Sequence, residues 1–154
     1  MATAPRTKMT DSVQNINAID VDRALATLLL RVTLGVNILL HGLTRTVLGS
    51  LAGFVNNTVT QFQKTALPEW QVRAFATAIP FLEIAIGVLL VVGLAKRWSL
   101  VAGALLMAAL VLGTALRSDW TLLELQMFYC LLYFILLMCQ RWDAYSVKTL
   151  MGRE

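Results

Sequence analysis

The sequence predicts an all-α integral membrane protein, a bundle of four transmembrane helices. It also predicts a short interfacial helix in the first outer loop and cytoplasmic positions for both termini. The chain of 154 residues is 58% hydrophobic, with a mean hydropathy of +0.70, and only 14% of its residues are charged. A soluble domain carries about 25% charged residues, so this composition excludes an ordinary soluble globule. A disordered chain is excluded too, because it would combine low hydrophobicity with high charge.

Four apolar segments provide the predicted spans, and each approaches the ~20 residues that a helix needs to cross the hydrocarbon core. These segments cover residues 23–43, 72–95, 98–116 and 120–139.

Three regions follow from this division of the chain. Residues 1–22 are predicted to form a polar cytoplasmic tail, residues 23–140 the membrane domain, and residues 141–154 a cytoplasmic C-terminal tail. The N-terminal tail has no apolar core, so it is not interpreted as a cleavable signal peptide.

The long first link contains the predicted interfacial helix. Its apolar residues recur at helical spacing among Asn, Thr and Gln, and the segment closes before Pro68. These apolar residues are Leu51, Phe54, Val55, Val59 and Phe62.

The distribution of basic residues predicts the orientation. When Arg23 and Arg73, at the ends of their spans, are included, the side of the termini and the second link holds eight Lys or Arg, whereas the side of the first and third links holds four. The more basic side of a membrane protein faces the cytoplasm, so both termini are expected there and the long first link outside. No basic run is dense enough to follow a phosphate backbone, so no nucleic-acid partner is predicted.

Two charged residues lie deep in predicted spans, where each costs roughly 2.5–3.5 kcal/mol at the helix centre. Arg31 lies in the first span and Glu83 in the second. At the helical rise they stand roughly 12 Å and 18 Å from the cytoplasmic ends of their predicted spans, within reach of each other. An Arg31–Glu83 pair is therefore expected, either to fix helix register or to serve a ligand or a proton. An Arg31 side chain that reaches toward the interface is the alternative.

Further polar residues point to a site in the outer half of the bundle. His41 and Arg45 share one face near the outer end of the first span, whereas Gln126 and Tyr129 lie on the fourth. Trp120 falls where an interfacial aromatic belt is expected. A neutral imidazole there suits proton exchange or a bond to a carbonyl oxygen, although a solvated or capping histidine is the alternative. His41 is the only histidine, and no metal site is predicted.

Three stretches carry a resemblance to a known family. They are LLLRVTLGVNILLHGLTR (28–45), IPFLEIAIGVLLVVGLAKRWSLVAGALLM (79–107) and LGTALRSDWTLLELQMFY (112–129). Their arginine, His-Gly pair, Pro-x-x-Glu and basic turn resemble the DoxX/DoxD family of four-helix membrane proteins. The last stretch resembles the DoxD branch, with Trp120, Gln126 and Tyr129 in register.

The resemblance implies a membrane subunit of a quinone-linked oxidoreductase in the bacterial or archaeal cytoplasmic membrane. The DoxD branch resembles the membrane component of thiosulfate:quinone oxidoreductase, which joins thiosulfate into tetrathionate and works with a separate DoxA subunit. In that interpretation quinone is the substrate or bound acceptor, and no metal, haem or flavin is predicted. The expected surroundings are the lipid bilayer, quinone, a DoxA-like or other redox subunit, and further copies of the chain.

The resulting hypothesis gives Glu83 and His41 catalytic roles. Glu83 would relay protons, while His41 would meet a quinone carbonyl. The binding residues would be Arg31, Arg45, Gln126, Tyr129 and Trp120. A non-catalytic membrane anchor or assembly partner of a redox enzyme is the second interpretation, and a small-solute channel the third.

Overall fold

The computed structural model describes the backbone of residues 6–143 and 145, and the side chains of residues 20–143 and 145. Throughout this part of the chain the fold is helical, without strands. Five α-helices are followed by a short 3-10 turn at Gln140–Trp142. The helices are α1 (Arg6–Arg45), α2 (Leu51–Phe62), α3 (Glu69–Val92), α4 (Lys96–Leu116) and α5 (Trp120–Met138).

Four of the helices are long and apolar enough to cross a membrane, which confirms the predicted number of spans. They are the Asp20–Arg45 part of α1, together with α3, α4 and α5. The predicted boundaries lie within three residues of the observed ones, except at the start of α1. That helix begins at Arg6, so the first span continues a longer helix. Most of the predicted C-terminal tail, residues 144 and 146–154, lies outside the described residues.

The α1–α3 pair is the most extensive helix contact of the bundle, and glycines set its antiparallel register. A Cβ atom on Gly87 of α3 would lie 2.6 Å from the backbone nitrogen of Leu39, and one on Gly42 of α1 would lie 2.5 Å from the carbonyl oxygen of Pro80. Gly35 is similarly close to Leu90. The helices therefore meet backbone to backbone, which only residues without a side chain permit.

The apolar core of the bundle lies between α1, α3, α4 and α5. Tyr133 of α5 is its largest ring, fully buried against Gly103 of α4, where any side chain would overlap the phenol. The buried cluster also contains Leu34, Ile38, Ile79, Ile86, Leu90, Leu100, Leu106, Met107 and Leu136. Large apolar side chains are also exposed along the outer faces of all four long helices, as expected of surfaces that lipid covers.

Helix α2 lies against α3 and confirms the prediction of a short helix in the first link. Its N-terminus is capped by Ser50, whose hydroxyl accepts a hydrogen bond from the backbone of Gly53 at 3.1 Å. The end of the bundle at which α1 terminates and α2 lies is hereafter called the α2 end. The opposite end holds the α3–α4 turn and the 3-10 turn, and is hereafter the Asp143 end.

Candidate functional site

An ion pair between Arg45 and Glu83 lies beneath the α2 end. Arg45 is the last residue of α1, and its Nη1 atom lies 2.5 Å from Oε1 of Glu83, which α3 contributes. The Glu83 side chain is only 3% exposed, whereas that of Arg45 is 28% exposed. The second carboxylate oxygen, Oε2, is buried and has no hydrogen-bond partner among the described residues. A buried carboxylate that is only half satisfied is costly, which distinguishes this pair from a surface ion pair.

Three arginines hold α2 over this part of the bundle. The Arg45 guanidinium stacks on the Phe54 ring at 4.8 Å, so the ion pair and α2 share one cation. Arg73 of α3 donates to Asn56 at 3.1 Å. Arg117, just after α4, stacks on Phe62 and hydrogen-bonds Gln61. Helix α2 is therefore anchored to the adjoining ends of α1, α3 and α4.

Two further buried polar groups come from α5. Gln126 is 9% exposed and its Oε1 atom has no described partner, and the fully buried hydroxyl of Tyr133 has none either. Together with Glu83 Oε2, these are three buried polar atoms that have no hydrogen-bond partner among the described residues of the bundle.

A second buried charge cluster closes the Asp143 end. Asp143 Oδ2 lies 3.1 Å from Arg31 Nε and 3.3 Å from Lys96 Nζ, although the Arg31 contact lacks hydrogen-bond geometry. The Arg31 guanidinium also donates to the carbonyl oxygens of Leu90 and Tyr145. Its tip lies beneath Gly93, whose φ of 75° and lack of a side chain admit both the turn and the guanidinium. This cluster ties the segment after α5 to α1 and α4.

The predicted Arg31–Glu83 pair is wrong, because the two residues lie at different levels of the bundle. The register set by the glycines places Arg31 beside Leu90 and Gly93, not beside Glu83. Each takes another partner: Asp143 for Arg31, and Arg45 for Glu83.

The remaining predicted site residues do not converge on one point. His41 is exposed on α1, and its described hydrogen bond uses only its backbone carbonyl. Trp120 is 63% exposed at the start of α5. Tyr129 instead donates to Asn37 of α1 at 3.2 Å, whereas Gln126 lies buried within the bundle. In the described part of the chain, no cluster of three His, Cys, Asp or Glu side chains is placed to hold a metal ion.

Sequence reasoning missed Asp143, Lys96 and Asn37. A signal for Asp143 exists, because a buried arginine needs an acidic partner and Asp143 is the first acid after the fourth span. Lys96 was counted only as part of a basic turn. Asn37 could have been found in the same way as Gln126, because both are polar residues within apolar spans.

The four apolar helices and their buried polar interior define an integral membrane protein. Residues 23–121, well over half of the chain, match the family model described as methylamine utilisation protein MauE. The chain therefore belongs to the MauE family. This match corrects the predicted DoxX/DoxD membership, which is wrong. The matched residues include Arg45, Glu83 and all of α2, whereas Asp143 and most of α5 lie beyond them. No curated protein and no solved structure matches the chain.

Proposed function

We propose that this protein is a membrane component of methylamine utilisation that assists the maturation or assembly of a redox enzyme. The Arg45–Glu83 pair beneath α2 is its working site. The family description supplies the process. The sequence left two roles open, a catalytic subunit and a non-catalytic assembly partner of a redox enzyme. The second agrees better with the family description, which names a process and not a reaction. Thiosulfate oxidation and a DoxA-like subunit depended on the DoxX/DoxD resemblance and are withdrawn with it.

The main support for the proposal is that only one oxygen of the Glu83 carboxylate has a hydrogen-bond partner among the described residues. A purely structural ion pair in a low-dielectric interior is stable only when its remaining lone pairs are also satisfied, and Oε2 is not. The Arg45 guanidinium keeps part of its surface accessible and contacts α2 through Phe54. A partner that displaces α2 therefore perturbs Arg45 and, through it, Glu83. This gives the pair a route to respond to binding at the α2 end.

The α2 end also presents a polar surface suited to a water-soluble partner. The side chains beyond the apolar face of α2 include exposed amides and a cation. They are Asn56, Asn57, Gln61, Gln63 and Lys64. In the proposed orientation α2 lies in the interface on the outer side of the membrane, with both termini in the cytoplasm, as the distribution of Lys and Arg favours.

Replacing Glu83 by glutamine tests the proposal in cells. The host is a methylamine-using strain whose own family member has been deleted and into which this chain is introduced. We expect E83Q to reach the membrane in normal amounts, because Arg45 is partly exposed and can turn toward water. Growth on methylamine and the methylamine-oxidising activity of cell extracts should fall at least about tenfold, the loss expected for one essential charge-assisted contact of about 1.4 kcal/mol or more.

The matched control is Glu124→Gln, the same change at an exposed glutamate on α5. It should support growth like the unchanged chain. Full growth with E83Q would contradict the role of the carboxylate. Growth on methylamine without any copy of the chain would contradict the proposed process itself.

A further inference from the structure

A crevice between α1 and α5 is separate from the Arg45–Glu83 site. These two helices touch at few points, and a cavity of about 240 Å³ remains between them. Most of its walls are apolar, and aromatic rings line the α5 side. The lining comprises Leu30, Thr33, Leu34, Asn37, Leu125, Phe128, Tyr129 and Leu132.

Besides Thr33, one hydrogen-bonded polar pair interrupts these mostly apolar walls. The Tyr129 hydroxyl donates to Asn37 Oδ1 at 3.2 Å, so the Asn37 oxygen and the Tyr129 proton are both engaged. The amide nitrogen of Asn37 takes part in none of the hydrogen bonds found within the described residues, and its residue is exposed at the crevice. Two amide protons are therefore available to a hydrogen-bond acceptor that enters the crevice.

The depth of this pair limits the kind of acceptor. Asn37 lies between Arg31 and Arg45, the two charged residues of α1 that are nearest to it along the helix. At the helical rise it stands roughly 9 Å from the first and 12 Å from the second along the helix. Lipid headgroups and water do not reach this level of a bilayer. The acceptor must therefore belong to a molecule that dissolves in the hydrocarbon.

The size and lining of the crevice limit which hydrocarbon-soluble molecules can bind there. Sites for drug-sized ligands measure about 300–1,000 Å³, so a smaller cavity suits a single ring whose aliphatic tail stays in the lipid. Phe128 and Tyr129 offer aromatic surfaces for a flat ring. An acyl chain alone would leave the Asn37 amide unsatisfied, at a cost that a ring carbonyl removes.

We propose that the α1–α5 crevice binds a lipid-soluble ring compound bearing a carbonyl group, the chemical class of the membrane quinones. The ring lies between Phe128 and the α1 wall, and its carbonyl oxygen accepts a hydrogen bond from the Asn37 amide. Tyr129 orients that amide through its bond to Oδ1. This binding requires neither Glu83 nor the proposed role in methylamine utilisation, so the two proposals can fail separately.

Equilibrium binding of a radiolabelled, short-tailed benzoquinone to the full chain in lipid nanodiscs tests the site. We expect saturable binding of one molecule per chain. Asn37→Leu should weaken it about tenfold, as expected for loss of a buried hydrogen bond. Thr33→Trp should abolish binding by filling the crevice from its exposed rim. The matched control, Thr77→Trp, places the same ring on an exposed face of α3 and should leave binding unchanged.

Competition separates a ring site from a simple lipid groove. An aliphatic alcohol with the same tail but no ring should not displace the labelled benzoquinone. Equal competition by that alcohol would overturn the proposal, and so would unchanged binding in T33W. If N37L does not yield folded protein, T33W against T77W still decides the result, because both change exposed residues.

Discussion

Replacing Asp143 by asparagine will destabilise the bundle by about 3 kcal/mol. The carboxylate of Asp143 faces the Arg31 guanidinium and the Lys96 ammonium, and it is only 3% exposed. Removing one partner of a buried ion pair costs about 3–5 kcal/mol, because the remaining charge has lost its counter-charge but not its burial. The lower end of that range applies here, since Lys96 is partly exposed and can turn toward water. Reversible unfolding in mixed micelles measures the change.

Two companion variants identify the cause. Asp20→Asn removes a carboxylate from an exposed pair with Arg23, and surface pairs of this kind are worth about 0–1 kcal/mol. Adding Arg31→Met to the Asp143→Asn chain removes the stranded cation and should restore part of the lost stability. A loss in D143N no larger than that in D20N would show that the cluster does not hold the Asp143 end together.

Replacing Gly87 by alanine is expected to cost about 3 kcal/mol, although it adds one methyl group. That methyl group would lie 2.6–2.7 Å from the backbone nitrogen and Cα of Leu39. Backbone atoms of a packed helix cannot rotate away as a flexible side chain can, so α1 and α3 must separate. Overpacking costs about 1–3 kcal/mol, and a clash with backbone belongs at the upper end. The same unfolding assay detects the loss.

Gly113→Ala provides the matched control, because this glycine also lies in a long apolar helix. Its nearest neighbour, the Phe62 ring, would be 3.4 Å from the added Cβ atom. Alanine favours the helix over glycine by about 0.5–1 kcal/mol, so this variant should be neutral or slightly more stable. Equal effects at Gly87 and Gly113 would contradict the close packing of α1 on α3.

The sequence predicted the helices well because their signals are local. Spans of about 20 apolar residues and the helical spacing of Leu51, Phe54, Val55, Val59 and Phe62 are properties of single segments. The observed α2, Leu51–Phe62, has the same bounds as that apolar pattern. The glycines of α1 and α3 carry a signal of the same local kind, because small residues beside polar ones indicate close helix contact.

The pairing of charges was not predictable in the same way, because it depends on register between helices. Measuring Arg31 from residue 23 assumed that the membrane boundary lies there, but α1 is continuous from Arg6 and gives no such mark. The register is set by Gly35 against Leu90 and by Gly87 against Leu39, and it carries Arg31 past Glu83 to a different level of the bundle. Short motifs misled the family assignment similarly, since an arginine, a His-Gly pair and a Pro-x-x-Glu are few residues in a long apolar chain.

We propose that the Glu83 carboxylate is required for the function of the protein and does not merely hold helices together. The direct test is the double variant Arg45→Met, Glu83→Met, which replaces both charges by apolar side chains of similar length. Replacing a buried pair as a unit is often neutral or stabilising by about 1–4 kcal/mol, so the bundle should unfold no more easily than before. We predict that this stable variant fails to support growth on methylamine. Normal growth with the double variant would contradict the claim and make the pair structural.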